Sequence, residues 1–392
     1  MDFLLKGLRW VKAEKYIRGD LRIRNGIIHE LGEGLAVAKR EQTIHFENHY
    51  LYPGLINAHD HLEMNLYPRL GHPPYRNYKQ WGQDIYKPKE SPIREIEKVD
   101  IDDRLLWGGL KNLISGVTTV AHHNPWKRIL ASKDFPVRVL NNLGWSHSLA
   151  FGKTLRKDFL KKPGAPYVIH AAEGVDALAF EEIRQLDHLG VLQANTVLIH
   201  AIALTQTDID LLTGRKCSVV WCPASNKFLF QKTADIQALK KVAPVALGSD
   251  STLTGSATLL DEMRYARHTG LTTAQEIFEM VTNIPSRVFQ LPALNVSEGA
   301  IADLMIAPVL HEDYFESLIQ TESSHIEAVF INGQPYYGDA RISDLLKLKY
   351  TFRVNGVMKK SNMDVTSLMN KLTKKVGIKI LELNPLWNMM DS

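Results

Sequence analysis

Between Tyr52 and about Pro292 the chain repeats one motif: a short run of Val, Ile, Leu or Ala that ends abruptly in polar residues, followed by a longer stretch with helical spacing. The runs are GLINAHDH, TTVAHH, PVRVLNN, PYVIHAAE, TVLIHA, CSVVWCP and PVALGSD. Apolar runs of this length between helical stretches predict parallel strands buried on both faces, with chemistry at their C-terminal ends, as in a (β/α)8 TIM-like barrel. The flanks differ. Residues 1–51 alternate with period two, and LRIRNGIIHELG carries an Asn25-Gly26 hairpin signal. Residues 296–342 return to that pattern in AIADLMIA, EAVFING and QPYYGD, with a second such signal at Asn332-Gly333.

The expected organisation is therefore a small composite β-sandwich built from 1–51 and 296–342, a barrel over 52–295, and a C-terminal extension over 343–392. Two helix-like pieces and several lysines make up the extension, and a basic solvated face explains it better than an anionic partner. Only a short stretch separates VRVLNN from PYVIH, whereas a βα unit takes ~30 residues. The barrel is thus expected to be distorted around its fourth strand, with WSHSLAF as the candidate for that strand.

Composition narrows the function classes. The 392 residues are 45% hydrophobic and 23% charged, enough for a large core and unlike a disordered chain. Lys+Arg 47 against Asp+Glu 43 gives a net charge of +4 that is spread through the chain, so neither a nucleic-acid nor a membrane footprint is expected. No apolar run reaches membrane-spanning length and the opening residues lack a secretory leader pattern. Cys217 and Cys222 sit on opposite faces of one strand and are not expected to pair. The expectation is a cytoplasmic protein.

The polar ends of the runs carry the chemistry. His59 and His61, at i and i+2 on a strand end, leave the backbone on one side and form a two-point metal clamp. Alone, such a pair is as easily a pair of packed histidines. His170, His200 and Asp250 each close a further apolar run, and strands lying side by side in a barrel would gather all of them at one rim. Imidazole and carboxylate ligands of this kind suit Zn²⁺, with Fe²⁺ compatible. Glu173, three residues after His170, would stand just above the metal, where a proton shuttle belongs, although a helix N-terminal carboxylate is the competing reading.

In order, PGLINAHDH, IHAAE, LIHA, WCPASN and LGSD resemble the amidohydrolase superfamily, and most closely its mononuclear deaminase and chlorohydrolase branch, over about residues 1–340. The resemblance implies that His59, His61, His170 and Asp250 hold one Zn²⁺, that Glu173 and His200 act on substrate and water, and that Asp250 accepts the water's proton. No lysine ends a candidate central strand, so a carbamylated bridge between two metals has no donor. Pro223, Ser225 and Asn226 resemble the family's loop after the seventh strand, with structural work as their expected role.

Substrate contacts are expected from loops at the same rim. Arg69, Tyr75, Tyr78 and Trp81 could cover a flat ring, or form a lid or a homodimer contact instead. His122, His123, Asn124, Trp145 and His147 could reach the ligand or pack behind it. The expected activity is hydrolysis of a non-peptide carbon–nitrogen bond, foremost deamination of a small heterocycle such as a purine, pterin or triazine. Expulsion of chloride, opening of a cyclic amide, and a catalytically silent binding protein are the rival readings.

Overall fold

The computed structural model describes residues 2–12, 15–152 and 154–390. Eight parallel strands lie in the order of the chain, as a three-stranded sheet (Leu55–Asp60, Val117–His122, Arg138–Val139) and a five-stranded one (Gly144–Ser148, Tyr167–Ala171, Thr196–His200, Ser218–Trp221, Val245–Leu247). Together they form a TIM-like (β/α) barrel. The first and eighth strands close it through a parallel bridge between Asp60 and Asp250, where the Asp250 amide donates to the His59 carbonyl at 3.0 Å. No ladder joins the third strand to the fourth among the described residues. The distortion thus falls beside the fourth strand, which is the GWSHS segment.

The strands read as continuous apolar runs because both faces are covered. Ala58, Ala121, Val168, Ile199, Val220 and Ala246 come from six different strands yet belong to one apolar cluster, an arrangement available only inside a closed cylinder. Small side chains fill that narrow interior. Outside, helices such as Gln206–Arg215 and Leu259–His268 begin at threonine capping boxes, Thr205 with Asp208 and Thr258 with Asp261, which satisfy the free amides of the first turn.

The flanking segments form a ten-stranded sheet in which Leu304–Pro308 runs antiparallel to His49–Pro53, joining the two ends of the chain. Phe3, Leu5, Trp10, Ile23, Leu304 and Phe330 are buried in its core. Asn25-Gly26 and Asn332-Gly333 both turn through positive φ (52° and 82°; 50° and 68°), the geometry of two-residue hairpins. The turns also abut each other: a Cβ on Gly26 would stand 2.9 Å from the Asn332 carbonyl oxygen, so the glycines are needed for contact as well as for conformation. The sheet continues past residue 342, since a hairpin of Tyr350–Val354 and Val357–Ser361 pairs with Gln334–Asp339. The extension therefore supplies two edge strands as well as the helix Val365–Val376. Arg138, on the third barrel strand, pairs with buried Asp303 and so fastens barrel to sandwich.

Candidate active site

The polar strand ends meet at one rim of the barrel. Two of the gathered residues hold left-handed backbone, His200 at φ 73° and Asp250 at φ 55°, as does Ala172 at φ 53°, two residues after His170. Residues with a Cβ avoid this region, and such conformations concentrate where a site requires a particular side-chain direction. The turn breaks the strand and aims the side chain over the barrel mouth.

His170 Nε2 lies 3.3 Å from His59 Nε2 and 3.3 Å from His61 Nε2. Asp250 Oδ1 stands 3.7 Å from His59 Nε2 and 3.8 Å from His61 Nε2. Burial pushes the imidazoles of His59 and His170 well below the ordinary histidine range and that of His61 down to about 4, which keeps them neutral. Ligands ~2.0–2.2 Å from a tetrahedral zinc lie roughly 3.3–3.6 Å apart, so the His170 spacings fit such an ion and those of Asp250 lie slightly beyond it.

Neighbours set the direction of each group. His170 Nδ1 donates to the His147 carbonyl at 2.7 Å, which leaves Nε2 as the free lone pair. Asp250 Oδ2 accepts from the Ser225 and Thr254 hydroxyls, both at 2.8 Å, which leaves Oδ1 for the histidines. Burial alone would raise the Asp250 carboxyl; the facing imidazoles of His61 and His200 and these hydroxyls bring it below the usual carboxylate range. His200 Nδ1 donates to Asn226 Oδ1 at 2.7 Å, and its Nε2 lies 3.7 Å from Glu173 Oε1. Burial, with the charges of Asp250 and Glu182 adding to it, holds Glu173 well above the normal glutamate range.

His123 belongs to this cluster and not to the outer wall. It offers a ring nitrogen within 4.8 Å of those of His59, His61 and His170, and its ring stacks on His170 with centroids 4.5 Å apart. Its Nε2 bonds the Ser146 carbonyl at 2.9 Å, which leaves its buried Nδ1 without a hydrogen-bond partner among the described residues, while Asp250 keeps Oδ1 directed at the histidines. His59, His61 and His170 are thus faced by two further donors, Asp250 Oδ1 and His123 Nδ1.

The cluster opens into a cavity of about 620 Å³, a volume suited to a small organic molecule. Trp81, His147 and Tyr78 line it, as do Glu63 and Arg104, to which the sequence drew no notice. Other expected contacts lie elsewhere. Arg69 donates to the Gly255 carbonyl at 2.7 Å and lies over the Phe228 ring. Tyr75 is tied to Asp84 and the His72 amide, and His122 and Trp145 line a separate cleft, with Asn124 bonded to Glu63 at 2.6 Å. Spacing alone could not separate these from the cavity wall, because each follows a strand end or sits in the loop after the first strand.

Beneath the histidines lies a buried polar layer that spans separate elements. Lys111, from the helix Ile101–Leu113, stands 3.4 Å from Asp60 and donates to Asn65 Oδ1 at 2.8 Å. Asn65 in turn donates to Asp60 at 2.8 Å. Nothing in a helical lysine marks it as buried. Cys217 and Cys222 are both buried and unpaired, and among the described residues no helix is long and apolar enough to cross a membrane.

Residues 137–363 match the model of the amidohydrolase family. Among curated proteins, the 5-methylthioadenosine/S-adenosylhomocysteine deaminase of Pyrococcus furiosus is 25% identical, over 81% of this chain and 90% of its own length. The 5′-deoxyadenosine deaminase of Methanosphaera stadtmanae is 22% identical, over 76% and 82%. Among solved structures, a zinc-bound adenosine deaminase of Xanthomonas campestris superposes with a TM-score of 0.76 at 18% identity, covering 95% of this chain and 97% of that one. A zinc complex of the atrazine chlorohydrolase of Arthrobacter aurescens gives 0.74 at 16% identity, covering 95% and 100%.

Proposed function

The chain belongs to the amidohydrolase family, and from that membership we propose that it is a metal-dependent aminohydrolase that releases ammonia from the ring of a purine nucleoside. One observation carries the reading: buried Glu173 stands 3.7 Å from His200 Nε2 beside clustered imidazoles and Asp250, with its carboxyl held well above the ordinary glutamate range and that of Asp250 held below its own. Two carboxyls whose proton affinities are pushed apart within one pocket are what proton transfer in both directions requires. The nucleoside deaminases among its relatives favour a purine over the other heterocycles.

In this reading His59, His61, His170 and Asp250 hold one divalent ion, zinc foremost, with ferrous iron able to use the same ligands. Zinc supplies a water whose pKa falls toward ~7, and so a nucleophile at neutral pH. Asp250 Oδ1 takes a proton from the attacking water. His200, fixed by Asn226 with Nε2 free to accept, orients that water toward the ring carbon. Glu173 gives its proton to the neighbouring ring nitrogen, which receives the electrons of the carbon–nitrogen double bond. The proton held by Asp250 passes to the amino group, which leaves as ammonia. Glu173 regains a proton from the new hydroxyl as the carbonyl forms.

The test is ammonia release from adenosine, 5′-methylthioadenosine, 5′-deoxyadenosine and S-adenosylhomocysteine, with atrazine as a chloride-releasing control, using zinc-loaded and chelator-stripped protein. Metal-dependent ammonia from at least one nucleoside is expected. Chloride from atrazine without ammonia from any nucleoside would assign the chlorohydrolase reading, and zinc-loaded protein inert on the whole panel would reject both.

A further inference from the structure

Glu173 does its proposed work with a carboxyl that accepts no hydrogen bond from any described residue; His200 Nε2 stands 3.7 Å from its Oε1. Its place must therefore be set through its backbone. That backbone is unusual, because Ala172 before it is left-handed and Gly174 after it has no room for a side chain, a Cβ there falling 2.6 Å from the Arg76 carbonyl oxygen.

We propose that Tyr78 and Glu182 are positioning residues for Glu173, binding the helix that walls the cavity to the proton carrier; the inference rests on the proton-carrier reading above. Glu182, from the helix Ala177–His188, is fully buried, and its Oε2 accepts from the Ala172 amide at 2.8 Å. This bond holds the strained residue in place. The other oxygen, Oε1, accepts from the Tyr78 hydroxyl at 2.8 Å. Tyr78 opens the helix Tyr78–Ile85, whose Trp81 and Ile85 line the cavity, and its own amide donates to the Glu173 carbonyl at 3.3 Å. On either side, the Val175 amide donates to the Arg76 carbonyl at 2.7 Å and Asn77 Nδ2 to Asp176 at 2.6 Å. Residues 172–176 are thus clamped between the cavity wall and the helix that follows them.

Such a clamp has a kinetic consequence. Proton transfer falls steeply with displacement, and an error of ~1 Å can cost about a hundredfold. Loosening Tyr78 from Glu182 should let Glu173 drift while the metal and most of the cavity wall stay in place. The loss then belongs to turnover. A Tyr78 that served only as a wall contact would instead affect substrate binding.

The experiment compares zinc-loaded wild type with Tyr78→Phe, which keeps the buried ring, and with Glu182→Gln, which keeps the side-chain shape; kcat, KM, zinc content and Tm are measured on the best nucleoside of the panel. For Tyr78→Phe a fall in kcat of roughly 10–100-fold is expected, with KM within about threefold and zinc unchanged. Glu182→Gln should lower kcat in the same way. A kcat within twofold of wild type in a folded, zinc-replete Tyr78→Phe, or a loss confined to KM, overturns the proposal. Glu173→Gln assayed in parallel separates the two failures: full turnover there rejects the proton-carrier reading itself, whereas its loss beside a normal Tyr78→Phe rejects only the clamp.

Discussion

Asn384, far along the C-terminal extension, donates its side-chain amide to the backbone carbonyl of Tyr67 at 2.8 Å, eight residues after the first metal-facing histidine. The same nitrogen donates to the Asn65 carbonyl at 3.0 Å, and its oxygen caps the final helix through the Leu386 and Trp387 amides. Asn65 also holds the His61 carbonyl at 3.2 Å and accepts the Thr252 amide at 3.1 Å. The extension thus fastens the loops after the first and eighth barrel strands, which lie next to His61 and Asp250. Asn384→Asp would keep the cap but set an oxygen against two carbonyls, at a cost of about 1–3 kcal/mol. Zinc release to a chelator is expected to be ~10-fold faster than in wild type; an unchanged release rate would deny the extension this role.

Asn226 selects the tautomer of His200 by accepting from Nδ1. Asn226→Leu removes the acceptor at similar volume, leaving either ring nitrogen free to carry the proton. Turnover should fall ~10–100-fold with zinc content unchanged. Equal turnover would mean that His200 needs no fixed tautomer.

Gly248 passes behind the first histidine so closely that a Cβ would sit 2.7 Å from His59 Cβ and 2.8 Å from its backbone nitrogen. His59 is wholly buried and cannot retreat. Gly248→Ala is expected to cost about 1–3 kcal/mol of stability and to weaken zinc retention. Unchanged Tm and unchanged zinc content would contradict this packing.

Glu262 offers a pH test away from the histidines. Burial raises its carboxyl from an ordinary 4.5 to about 7, and one of its oxygens accepts the Ala224 amide at 2.9 Å while the other has no partner among the described residues. Unfolded chain releases this proton near 4.5 and folded chain near 7, so the stabilisation is complete below pH 4.5 and is lost as pH rises through about 7. Glu262→Gln stays neutral throughout. Its Tm relative to wild type should therefore climb between pH 5 and pH 8, and parallel Tm curves would rule the shift out.

The barrel was legible because a strand covered on both faces must be apolar along its length, and only a functional demand explains runs such as PYVIH and TVLIH ending in imidazole. The hairpins were legible because Asn-Gly accepts positive φ. Lys111, Asn384 and Glu182 gave no such signal, since each lies in an ordinary helical or loop stretch whose partners are distant in sequence. Among the aromatic and basic residues near the rim, Trp81 and His147 reach the cavity whereas Arg69, Tyr75 and Trp145 do not, a difference set by loop paths that local pattern does not encode.

Local chemistry, read residue by residue, determined the strands, the turns and the set of ionisable groups available at their ends. The folded chain decided which of those groups meet. Their protonation states, their tautomers and the loops that hold them depend on contacts between segments tens to hundreds of residues apart. Burial and hydrogen bonding act through space, so neither is defined until the barrel has closed.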